Sequence, residues 1–214
     1  MTATSILLIR HGETAWNSVR RLQGHIDIPL NAEGERQAQA LGRILAYEPV
    51  KAVISSDLQR AMQTAQAVAG HHALNVQTDP GLRERCYGAF EGMLYSEVME
   101  RYPVEYAQWQ AREIDAVMPP GERVAESFRQ FYQRSVDSIG AWAARHPGQT
   151  IVMVAHGGVL ECAYRVACGM SLDSPRDFQV PNAGINRFTF ANGQLSLESW
   201  GDTSHLQAAL DDII

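Results

Sequence analysis

The sequence predicts an α/β fold: a doubly wound, mostly parallel sheet with helices on both faces, a helical insertion and a C-terminal hairpin. Three observations predict it. Apolar runs of strand length alternate with amphipathic segments of helix length. Two of those runs, "LLIRHG" and "VMVAHGG", stop abruptly on His-Gly. Near the C-terminus, "RFTFANGQLSLESW" alternates apolar and polar residues around Asn192-Gly193, a hairpin signal. A chain of 214 residues, 45% hydrophobic, is long enough to bury one sizeable core. We therefore expect one domain over 1–214, with the insertion at about 88–125.

Taken in order, Ser5–Ile9 is the first strand. Asn31–Glu48 is a helix that starts on an N-cap asparagine, aligns Ala38, Leu41 and Leu45, and stops at Pro49. Val50–Ser56 is the second strand. Asp57–Gly70 is a helix with an acid near its start and glycine at its end. Leu74–Thr78 reads as a third strand. Residues 91–123 are helical in places, interrupted by Pro103 and Pro119-Pro120. Ser127–Arg145 is a long amphipathic helix. "TIVMVAHGG" is the most apolar strand, and Val159–Cys168 follows as a helix.

The net charge of −6 and the lack of a basic stripe argue against a nucleic-acid partner. No apolar run approaches a membrane span. The apolar stretch near the start ends at Arg10 without a charged region before it, so no signal peptide is expected. Cys86, Cys162 and Cys168 form no CxxC pair and read as free thiols in a reducing cytoplasm.

In a parallel sheet the strands' carboxyl ends share one edge, where ligands bind. His11 and His156 would then face each other across one crevice. The glycines beside them would let backbone N–H groups approach a ligand, and the helix N-terminus behind Gly157-Gly158 would favour an anion. Arg10 precedes His11, and Arg60 falls in the first turn after the second strand. Two guanidiniums and two imidazoles suit a compact oxyanion, with phosphate the leading candidate. "LRERCYGAFEG" adds Glu84 after the third strand. Each residue alone has a plainer reading as a salt-bridge partner or solvated charge; the group together does not. A metal site would want aspartates or further histidines, and arginines beside the histidines would repel a cation, so no metal is expected. His25, His71, His72, His146 and His205 lack this context and read as structural.

"RHGETAWN", "SSDLQRAMQTA", "LRERCYGAFEG" and "VAHGG", in that order, resemble the histidine phosphatase superfamily, in its phosphoglycerate mutase-like branch. The resemblance runs from about residue 6 to "GDTSHL". It implies His11 as the nucleophile that becomes phosphorylated and Arg10, Arg60 and His156 as ligands of the phosphoryl oxygens. It implies Glu84 as proton donor to the leaving oxygen, with Asn17 and the backbone at Gly24 as further contacts. Gln23 and Gly157 complete the expected binding set. Family members often carry Gly-Glu-Ser ahead of the long helix; here Ala125-Glu126-Ser127 stands in that register, so Ser127 stays outside the site.

Independently of the resemblance, phosphoryl transfer asks mainly for positioning and cations, and neighbouring cations would keep an imidazole neutral and nucleophilic. No cofactor is needed. The expected partner is a small phosphorylated substrate. Hydrolysis and mutase chemistry share this core. A mutase must retain a bisphosphate, and residues 85–125 set four arginines against seven carboxylates, which favours the phosphatase reading. The insertion instead holds Phe90, Tyr95, Tyr102, Tyr106 and Trp109, read mainly as packing. Phosphoglycerate mutase is the alternative, and a non-catalytic phospholigand-binding protein ranks last.

Overall fold

A computed structural model describes residues 2–211. The elements run β1 (Thr4–Arg10), α1 (Ala15–Ser18), α2 (Ala32–Leu45), β2 (Val50–Ser55), α3 (Gln59–Ala69), β3 (Val76–Thr78), α4 (Tyr95–Arg101) and α5 (Pro103–Gln110). They continue with α6 (Phe128–Ala144), β4 (Thr150–Ala155), α7 (Gly157–Cys168), β5 (Ile185–Ala191), β6 (Gln194–Asp202) and α8 (Ser204–Asp211). One six-stranded sheet has the order β3-β2-β4-β1-β5-β6. Strands β1 to β4 pair in parallel, and β5 and β6 are antiparallel. The sheet is thus mixed, with a mostly parallel centre, as the sequence predicts.

Both sheet faces are covered, which is why the central strands are apolar at every position rather than at alternate ones. Ile6 and Leu8 join one core layer with Phe131 and Ile139 of α6 and Val159 and Leu160 of α7. Leu7 and Ile9 join the opposite layer with Leu41 and Leu45 of α2 and Ala61 and Ala65 of α3. All four β1 side chains are fully buried. Each contributes about 1.5–3 kcal/mol of hydrophobic stabilisation. Residues of the 88–125 segment build a smaller cluster of Phe90, Val98, Met118 and Ala125 with Leu22. Among the described residues no helix is long and apolar enough to cross a membrane.

The differences from the sequence reading have local causes. Leu74 lies outside β3, because this edge strand pairs only over Val76–Thr78 with Val53–Ser55. Pro103 opens α5 at its first position rather than interrupting a helix, where its missing N–H costs nothing. Gly157 and Gly158 already belong to α7, with His156 as its N-cap residue. The N-terminus of α3 is capped from a distance: Gln59 N–H donates to Asp27 Oδ1 at 2.7 Å, while Asp57 is taken by Arg83. Asn192 and Gly193 both have positive φ, 53° and 76°, as the tight β5–β6 turn requires.

Candidate active site

The carboxyl ends of β1, β4 and β2 are tied at one level by ladder bonds that outlast the strands. His11 N–H donates to the Ala155 carbonyl at 3.0 Å, and Ser56 N–H donates to the Val154 carbonyl at 3.0 Å. His11 and His156 consequently meet, with ring centroids 5.1 Å apart in an edge-to-face arrangement. Both are buried, 3% and 1% exposed.

His11 Nδ1 lies 2.7 Å from the Gly12 carbonyl. A carbonyl only accepts, so Nδ1 carries the proton and Nε2 keeps its lone pair. His156 Nε2 lies 2.8 Å from Ser56 Oγ. Its Nδ1 is buried without a partner among the described residues. Arg60, 1% exposed, donates Nη1 to the Ile26 carbonyl at 2.9 Å and Nη2 to the Gly24 carbonyl at 2.8 Å. Arg10 donates Nη1 to the Val180 carbonyl at 2.6 Å. The Nε atoms of both arginines are buried and have no partner among the described residues.

Both imidazoles are held well below the ordinary 6.5, first by burial and then by the Arg60 charge. The neighbouring cations matter, as the sequence suggests, but burial is the larger cause. Burial also presses Arg60 down to about 10, which leaves it a cation at neutral pH.

Glu84 sits across the crevice. Its carboxylate accepts from Arg85 N–H at 2.8 Å and from Gly158 N–H at 3.1 Å. The N-terminus of α7 does receive an acidic group, and it is the Glu84 side chain. A Cβ on Gly158 would collide with Glu84 Oε1, which is why glycine is needed there. Gly12 departs from expectation. Its N–H is committed to Thr64 Oγ1 at 3.0 Å, and a Cβ would lie 2.5 Å from the Gly34 carbonyl oxygen. That glycine admits α2, not a ligand.

A cavity of about 330 Å³ opens over Arg10, Glu84 and Gly157, walled in part by Tyr87, Tyr95 and Trp109. A second, of about 570 Å³, shares Arg10 and Tyr95 with it and is lined by Asn17 and Arg20. Asn17 Oδ1 is engaged by Thr14 N–H and Oγ at 3.1 Å, closing the cap of α1. Gln23 Oε1 is buried without a partner among the described residues. Gly24 has φ +51°, and its carbonyl orients Arg60. Among the described residues no cluster of three or more His, Cys, Asp or Glu side chains could hold a metal ion.

Besides the Ser56–His156 contact, three escaped the sequence reading. Asn182 Nδ2 donates to the His11 carbonyl at 2.9 Å. His25 Nε2 lies 2.8 Å from the Glu84 carbonyl, so this histidine belongs to the surroundings of the site. Glu161 pairs with Arg112, Arg165 and Arg176 in the cavity wall. Two of these carried a signal: Ser56 stands inside the "SSDLQR" stretch that supplies Arg60, and Arg165 follows Glu161 by four residues on one helix.

The model of the histidine phosphatase superfamily (branch 1) matches residues 6–203. The chain is 37% identical to phosphoglycerate mutase-like protein 4 of Arabidopsis thaliana, over 94% of this chain and 86% of that protein. It is also 37% identical to a metal-independent phosphoserine phosphatase of Arabidopsis thaliana, over 96% and 84%. Phosphoserine phosphatase of Entamoeba histolytica, solved with 3-phosphoglyceric acid, superposes with a TM-score of 0.83 at 29% identity, covering 95% of this chain and 99% of that one.

Proposed function

We propose that this chain, which belongs to the histidine phosphatase superfamily, hydrolyses a small phosphate monoester through a phosphohistidine on His11. One observation carries the reading. Arg10 Nε, Arg60 Nε and His156 Nδ1 are buried nitrogens without partners among the described residues, on three residues that neighbour an imidazole whose Nε2 lone pair is free. Buried polar atoms are almost always paired, so three together mark a place built for an oxyanion.

In the first step His11 Nε2 attacks phosphorus. The Nε2–P bond forms as the bond to the leaving oxygen breaks. Arg10, Arg60 and His156 stabilise the charge on the equatorial oxygens, and the protonated Glu84 carboxyl gives its proton to the leaving oxygen. In the second step water attacks phosphorus, Glu84 takes up the water's proton, and Nε2 leaves as the neutral imidazole with inorganic phosphate released. Splitting the transfer this way replaces one difficult displacement with two easier ones. Asn17 and Gly157 line the approach, the Gly24 carbonyl braces Arg60, Gln23 offers its buried Oε1 beside Gly24, and the Tyr87, Tyr95 and Trp109 wall receives the organic part of the ester.

Mutase chemistry is the alternative. It needs an excess of cations to retain a bisphosphate, and residues 85–125, which supply much of the cavity wall, set four arginines against seven carboxylates. The protein is expected to work in the cytoplasm on a small metabolite, with no nucleic-acid or membrane partner. Assays for released phosphate, run with excess chelator on a panel of phosphate esters, test the reading. Phosphate release should persist, and vanadate should inhibit. Glu84→Gln should slow an alkyl phosphate far more than nitrophenyl phosphate, whose leaving group barely needs a proton. Conversion of 3-phosphoglycerate to 2-phosphoglycerate much faster than phosphate release would replace the phosphatase reading with the mutase one.

A further inference from the structure

The proton on His156 decides whether its unpartnered nitrogen can help an anion. Among the described residues Nδ1 faces no acceptor, and Nε2 faces a hydroxyl that can either donate or accept. The surroundings of that hydroxyl settle the direction. Ser56 is fully buried at the end of β2. Its Oγ already accepts from Leu58 N–H at 3.4 Å, and among the described residues it has no acceptor for its own proton other than His156 Nε2. The neighbouring Ser55 is turned away, donating to the Ser56 carbonyl at 2.7 Å. If Nε2 held the imidazole proton, the Ser56 hydroxyl would be a buried donor without a partner. Nδ1 would then present a lone pair to the crevice, where it would repel phosphoryl oxygens.

We infer that Ser56 is a positioning residue that donates its hydroxyl to His156 Nε2 and so fixes the single imidazole proton on Nδ1, facing the crevice. His156 then acts as a neutral hydrogen-bond donor and needs no imidazolium. The two histidines carry their protons on the same ring atom for opposite purposes. In His11 a carbonyl accepts from Nδ1 and frees Nε2 to attack. In His156 a hydroxyl donates to Nε2 and frees Nδ1–H to bind. The inference rests on the reading of His156 as a phosphoryl ligand, and its first test does not depend on that reading.

Long-range proton–nitrogen correlation spectra of ¹⁵N-histidine-labelled protein report the tautomer directly, with His156→Asn identifying the signals. Wild type should show a protonated Nδ1 and an unprotonated Nε2 in His156. Ser56→Ala should move both nitrogen shifts toward a mixed tautomer and lower kcat by about tenfold, with a smaller change in KM. Ser56→Thr, which restores the hydroxyl, should recover both. A proton on Nε2 in wild type overturns the inference, whether or not Ser56→Ala folds. Unchanged His156 shifts in a folded Ser56→Ala overturn it too. If instead Nδ1–H is present but saturating vanadate leaves its signal unmoved, the role of His156 as a phosphoryl ligand is what fails.

Discussion

At the end of β1, the imidazole of His11 rests on the carbonyl of the next residue; at the end of β4, the imidazole of His156 reaches Ser56, 100 positions away. The same dipeptide, His-Gly, ends both strands. The partners differ in kind: one can only accept, the other can also donate. A local carbonyl suits a nucleophile, whose reactive nitrogen must keep its lone pair. A remote hydroxyl suits a binding group, whose orientation must be matched to a second strand. The glycines differ as well. Gly12 is closed in by Gly34 of α2, whereas a Cβ on Gly157 would meet only the Arg10 side chain, at 3.6 Å.

The largest expected difference between the two ends is catalytic. His11→Ala should abolish turnover and remove an acid-labile, base-stable phosphate from acid-quenched, radiolabelled enzyme, because the proposed mechanism gives the covalent bond to no other group. His156→Ala should keep the label but lose about 10²–10³ in kcat, the usual loss for one transition-state donor. Arg60→Ala should fall in the same range. Label carried by His156, or a His156→Ala loss as complete as that of His11→Ala, would reverse the two roles.

The next difference is read in stability against pH. Both histidines are neutral in the folded protein well below 6.5, first because of burial and then because of Arg60. The unfolded chain takes up their protons near 6.5 and the folded chain does not. Stability therefore falls as pH drops from 6.5 toward the folded values, by at most about 1.4 kcal/mol per pH unit for each histidine. His25 and His205 are lowered as well, also chiefly by burial, and add to the slope. Urea midpoints measured at pH 7.5, 6.5 and 5.5 should decline in wild type and decline less steeply in His11→Asn. A profile that is flat between pH 6.5 and 5.5 would mean that neither imidazole is held neutral.

The contrast also explains which features the sequence exposes. Whatever is set by neighbours in the chain is legible: apolar strands that stop on His-Gly, the Asn31 cap of α2, the Asn192-Gly193 turn, and Arg60 in the first turn of α3. Contacts between distant segments are not. Nothing in "VPNAGIN" marks Asn182 as a donor to the His11 carbonyl, and nothing near Glu161, beyond Arg165 four residues on in the same helix, foretells Arg112 and Arg176 as further partners. Leu74 is apolar and β-compatible, yet β3 begins later, because an edge strand is bounded by its one partner rather than by its own composition. The reading of Gly12 failed similarly: a glycine that admits a ligand and one that admits a helix look alike until α2 is in place.

The smallest effects separate the two glycines. At Gly12 an added Cβ would lie 2.5 Å from the Gly34 carbonyl oxygen and 3.0 Å from its Cα. Both atoms are backbone in the first turn of α2, so the helix itself must shift. Gly12→Ala should destabilise the fold by about 1–3 kcal/mol, the usual range for overpacking. At Gly157 the nearest atoms are Arg10 Nε, Cζ and Cδ at 3.6–3.9 Å, which is ordinary contact. Gly157 opens α7 without a positive φ, so alanine also reduces the freedom of the unfolded chain. Gly157→Ala should be neutral or stabilise by about 0.4–1 kcal/mol. Equal destabilisation of the two variants in urea would show that both strand ends need glycine for the same reason, and the steric distinction between them would fall.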